Sequence, residues 1–261
     1  MKTVVTAACL LALGLGQSAA HAQPAGQSCA GVPTHAALRA ALAAAQGQPN
    51  GGLGFHMWGS VVDRDGQVCA VSFTGADRGD QWPGSRVISA QKANTANAFS
   101  LPKFALSTAN LFSAVQPGQS LFGLQESNPV DTGVAYGGNA ALFGQPNDPM
   151  HGKRVGGVNV FGGGLALYTA EGRLVGALGV SGDTSCADHI IAWKVRHALN
   201  LDNVPAGVAG PAKDNIIHDV TVDAGTGHTV SVSGFGHATC SADSTKMAAA
   251  LPTTHPTGPT P

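Results

Sequence analysis

The sequence is short of charge. Asp, Glu, Lys and Arg make up 11% of it, and the formal net charge is −1. No run of Lys and Arg stands out, which argues against a nucleic-acid-binding face. Aromatics are scarce at 5%, with two tyrosines in the whole chain. No C-x-x-C occurs, which argues against a zinc site or a covalent haem-attachment motif. Gly162-Gly163-Gly164 lacks the Lys-Ser/Thr of a phosphate loop and precedes a strand pattern rather than a helix. Ser181 sits in Gly179-Val180-Ser181-Gly182-Asp183. That is not a nucleophile elbow, because Asp183 stands where the second glycine belongs. Beyond the N-terminus there is no long apolar run, so no membrane span is expected.

Glycine is abundant, at 36 of 261 residues. Many small residues and little charge favour close packing of elements and of subunits. The first residues have the pattern of a secretory signal peptide: Lys2, an apolar run from Val4 to Leu15, then Ala20-His21-Ala22 before Gln23. Cys9 lies too early for a lipoprotein site. Removing residues 1–22 takes away Lys2 alone and moves the charge from −1 to −2. The mature protein is therefore expected to be periplasmic or secreted. Its four cysteines, Cys29, Cys69, Cys186 and Cys240, read as two disulfides in an exported chain. Of the three connectivities, Cys29–Cys69 and Cys186–Cys240 is favoured. The first pins the N-terminal lead to a hairpin, and the second staples a C-terminal extension to a helix start.

The chain is organised around residues 156–199. Leu165–Thr169 and Leu174–Val180 flank Ala170-Glu171-Gly172-Arg173, a β-hairpin signal. Both faces of the second run are apolar or small, the mark of a strand covered on both sides. Ser185 with Asp188 resembles a capping box. Ile191, Val195, Ala198 and Leu199 then form one helical face. An earlier hairpin runs from His56 to Val62, turns at Asp63-Arg64-Asp65-Gly66, and returns from Gln67 to Phe73. Helices are expected after Thr34, with Leu38, Ala41, Leu42 and Ala45 as the stripe, over Arg86–Phe99, and over Lys103–Val115. The fold class is α+β: a central antiparallel sheet of about five strands with helices packed on it. One domain is expected over 23–240, with an extension from about residue 202. Residues 241–261 are Thr/Pro-rich and read as a disordered tail.

The phrase Gly176-Ala-Leu-Gly179-Val180-Ser181-Gly182, with the acidic, alanine-containing helix after it and the turn Val61-Val62-Asp63-Arg64-Asp65-Gly66, resembles the GlcG/HbpS-type haem-degrading domain family. The resemblance runs from about Thr34 to about Leu199. It implies helices packed on the sheet, a homo-oligomer, and haem or a related tetrapyrrole as ligand, with oxidant-dependent haem degradation as an associated activity. The stretch Gln116–Gly157 and the chain beyond Asp202 depart from the family pattern.

Nine histidines lie beyond the signal sequence, and most isolated histidines are structural. His151 is the first candidate iron ligand, because it sits in the long loop beside Lys153 and Arg154, cations suited to haem carboxylates. His189, in the first turn of the last helix, is the second. Tyr136 is a third donor, since a phenolate ligates ferric iron. Gly163 offers a close approach for a flat ring. The ligand site is expected where the loop from Tyr136 to Arg154 meets Gly162–Gly164 and the helix start at Ser185. Two other readings compete: an enzyme acting on a small organic metabolite with His151 or His189 as acid/base, and a non-catalytic structural or sensory oligomer.

Overall fold

The computed structural model describes residues 28–258. The expected signal sequence lies outside them. Four strands form the main sheet: β1 Trp58–Asp63, β2 Val68–Phe73, β3 Gly164–Tyr168 and β4 Leu174–Ser181. Their order is β2-β1-β4-β3, and every neighbouring pair is antiparallel. Each expected hairpin is present, and the two join edge to edge through β1 and β4, with Trp58 opposite Ser181 and Asp63 opposite Gly176. A separate two-stranded sheet, β5 Val220–Val222 with β6 Thr229–Ser231, stands apart from this one. The main sheet thus has four strands instead of about five.

Alternation along the strands divides the core in two. On one face Val61, Leu165, Leu167, Leu178 and Val180 pack with α1 (His35–Gln46) and α4 (Ser185–Ala198). On the other, Trp58, Val62, Val71, Phe73 and Ala177 pack with α2 (Ser85–Ala98). All eight residues of β4 are buried, as its apolar character requires. Gly179 lets α2 sit close. A Cβ there would stand 1.9 Å from the Ser89 carbonyl oxygen.

Helix boundaries follow capping chemistry. Thr34 caps α1, its hydroxyl accepting from Ala37 N–H. The cap of α4 is Thr184 rather than Ser185; Thr184 accepts from Ala187 N–H. Lys103–Val115 is not a helix. It holds two short 3₁₀ turns, Thr108–Leu111 and Ser113–Val115. A capping box between Ser107 and Asn110 tightens the first, and Pro102 prevents continuity from α2.

The long stretch after residue 116 is irregular but fixed. It contains α3 (Thr132–Tyr136) and a 3₁₀ turn at Ala140–Leu142. The expected disordered tail is corrected: α5 spans Ala242–Thr254. A capping box between Ser241 and Ser244 starts it. Ala248 and Leu251 bury against the α1–α4 core, enough apolar contact to order a Thr/Pro-containing segment. Disulfides join Cys29 to Cys69 and Cys186 to Cys240, the second just ahead of α5.

Candidate functional site

A cleft of about 520 Å³ opens between the start of α2 and the loop after α3, within the roughly 300–1,000 Å³ of small-molecule sites. Trp58, Val87, Phe143 and Tyr136 supply its apolar and aromatic walls, and Arg78 and Arg86 its cations. Trp58 is positioned by β1 and braced edge-on by Phe73, 5.2 Å between ring centres. Its indole N–H is buried with no acceptor among the described residues. Indole N–H groups usually find a partner when buried, so the wall carries an unused donor.

Arg86 builds the other wall. Its Nε donates to Asp148 at 2.9 Å, a second nitrogen pairs with the same carboxylate, and Nη1 donates to the Ala135 carbonyl at 2.9 Å. Asp148 in turn accepts from Gly144 N–H at 2.7 Å and Met150 N–H at 2.8 Å. The Phe143 ring lies 3.7 Å from the Arg86 guanidinium carbon, a cation–π contact. One buried arginine therefore folds the loop back over α2. The phenol of Tyr136 remains exposed at the cleft, at 64%.

The other sequence candidates do not gather here. His151 borders a different depression, of about 310 Å³, with His35 and the Cys29–Cys69 disulfide. Lys153 gives its carbonyl to Val68 N–H. Arg154 pairs with Gln67 across a bridge, and its Nε donates to the Asp65 carbonyl at 2.7 Å. Both belong to the β1–β2 turn rather than to the cleft. Gly163 is packed inside, where a Cβ would lie 2.3 Å from the Val180 carbonyl oxygen, so no ring lies against it. His189 is wholly buried. Its Nε2 accepts from Ile216 N–H at 3.1 Å and lies 3.2 Å from Asn215 Oδ1. Burial pushes its pKa down to about 3, so it is a neutral ring held inside the fold.

Arg78, Arg86, Trp58 and Phe143 escaped the sequence reading. No local pattern announces them, because the Arg86–Asp148 pair spans 62 positions.

The model of the HbpS-like haem-degrading proteins matches residues 34–196, more than half of the chain. The chain belongs to the HbpS-like family. Solved structures resemble it more loosely. The Klebsiella pneumoniae protein ORFY is 27% identical, with 64% of this chain and 89% of that one covered and a TM-score of 0.43. The PduOC:haem complex is 26% identical over 64% and 91%, with a TM-score of 0.44. HbpS itself is 19% identical over 68% and 96%, with a TM-score of 0.39. No curated protein matches the chain. The family match stops short of α5 and of the β5–β6 sheet.

Proposed function

We propose that this protein binds haem, or a related tetrapyrrole, in the cleft between α2 and the loop after α3. Membership of the HbpS-like family is the observation that carries the reading, and the donor set of the cleft fits the group. Aromatic and aliphatic side chains take the faces of a flat macrocycle. Tyr136 is the iron-ligating side chain of the cleft, and a phenolate is an established axial ligand for ferric haem. Arg78 at the mouth is held only by an exposed 3.9 Å pair with Asp77, weak enough in water for a propionate to compete for it. The unpaired Trp58 indole N–H offers a further hydrogen bond. Bound haem supplies redox-active iron, and oxidant-dependent loss of the ring is chemistry of that iron. The protein's own part is to exclude water, orient the ring and hold the phenol oxygen.

Export to the periplasm or medium belongs to the same reading. It is supported by the N-terminal sequence pattern and by the two disulfides. Homo-oligomerisation does too. The apolar faces of β4 are covered by the chain's own helices, so the support comes instead from exposed Phe122, Val222 and Val232. Sedimentation at micromolar concentration tests it, and a lone monomer contradicts it. The binding claim is tested by adding ferric haem to the oxidised protein. A Soret band that persists through desalting, with ferric-phenolate features, supports it; free-haem absorption alone after desalting removes it.

A further inference from the structure

A second cleft, of about 280 Å³, is left unused by the haem reading. It lies on another face of α2, where the first turns of α2 and α4 meet. Its volume lies just below the usual range of ligand sites, which limits it to a small molecule. The buried Lys92 stands in it. Two of its three N–H groups are spoken for, by the Val180 carbonyl at 3.1 Å and Asp188 Oδ2 at 2.7 Å. Around it, the hydroxyls of Ser85 and Ser181 and the Asn159 side-chain NH₂ make no hydrogen bond among the described residues, although the three residues are only 3%, 4% and 9% exposed. None of these three groups is sealed away from solvent; all belong to residues that line one cleft, and without a protein partner they are open to a polar guest. At the mouth stand Trp82 and Phe161, 52% and 42% exposed.

We propose that this cleft binds a small, uncharged, hydroxyl-rich ring compound of the polyol or monosaccharide class. Charge decides against ions. Lys92 is already neutralised by Asp188, and Asp183 adds a negative charge that repels an anion. Asp183 also has little left to offer a cation, because it accepts from Leu53 N–H at 2.8 Å, Phe55 N–H at 3.1 Å and Thr184 N–H at 2.6 Å. What remains free is the third Lys92 N–H, two serine hydroxyls, each donor or acceptor at need, and an amide NH₂. That mixture matches ligand hydroxyls, which also play both roles. The exposed Trp82 and Phe161 rings suit the apolar C–H side of a small ring.

The test is a titration of the haem-free, full-length protein with myo-inositol, followed by tryptophan emission and by calorimetry. Trp58 and Trp193 are each 1% exposed, so an emission change reports Trp82 at the mouth. The expected result is saturable binding with a Kd of about 1 mM or tighter, weakened about fivefold or more by Ser181→Ala and by Asn159→Ala. Acetate and methylamine are expected to give no saturation. The proposal is overturned by absence of saturation up to about 50 mM myo-inositol, by saturation with either ion instead, or by binding that both variants leave unchanged. The measurement needs no haem, so it stands or falls apart from the haem reading.

Discussion

The Lys92 ammonium lies 2.7 Å from the Asp188 carboxylate, with both residues only 2% exposed. The pair links α2, on one face of the sheet, to the first turn of α4, which packs on the other. Gly163 makes the link possible, since a Cβ there would stand 3.1 Å from the Lys92 nitrogen and also 3.1 Å from the Asp188 Cβ. Gly163 thus makes room for an ion pair. Replacing Lys92 by Met leaves Asp188 buried without its partner. The expected cost is ~3–5 kcal/mol, read from denaturant unfolding. Adding Asp188→Leu should recover part of that loss, because the unpaired charge is then gone.

Acid should weaken the fold, beginning at mild pH. Burial pushes His189 down to about 3 and His237 to about 4. A folded pKa below the unfolded value near 6.5 means that the unfolded chain takes up protons first. The stability these rings contribute is present above pH 6.5 and is lost as pH falls toward the folded values. Each removes up to ~1.4 kcal/mol per pH unit. Asp188 works in the other direction. Burial raises it to about 6, so below pH 6 its protonation in the fold returns some stability and offsets roughly one histidine. The decline should be steepest between about pH 6 and pH 5, where the unfolded histidines are nearly fully protonated and the folded ones are not. Unfolding midpoints measured from pH 7.5 to 5 check this, and His237→Gln should flatten the curve.

The Cys186–Cys240 bridge closes 54 positions. Loop-closure entropy for such a span is worth about 4 kcal/mol. The doubly substituted Cys186→Ala/Cys240→Ala protein should unfold at lower denaturant. Its amide exchange should speed up first in α5, whose hold on α4 rests on Ala248 and Leu251. Uniform exchange across the chain would show that α5 is held without the bridge.

The hairpins were legible because β4 is apolar on both faces and each turn carries glycine. The start of α4 was legible to within one residue. Thr184 takes the cap, and Asp188 spends its carboxylate on Asp183 N–H and Lys92 instead of closing a box with Ser185. The helix at Ala242–Thr254 was hidden by its threonines and Pro252, although Ser241 and Ser244 carry its start signal in plain view. The cleft was not legible at all. Tyr136 belongs to it, but its walls depend on Arg86 reaching Asp148 in the long stretch after residue 116, and nothing near either residue in sequence records that contact. Proximity in sequence gave His151 its two cations, whereas folding sends all three to the β1–β2 side.

The most direct test of the account sets three ferric-haem titrations side by side: the parent, Tyr136→Phe and His151→Ala. The parent should give a saturable Soret change with phenolate-to-iron charge-transfer absorption. Tyr136→Phe should lose that absorption and bind about tenfold more weakly or worse, and His151→Ala should match the parent. A Tyr136→Phe spectrum and affinity equal to the parent's, or a loss confined to His151→Ala, would contradict the assignment of the cleft.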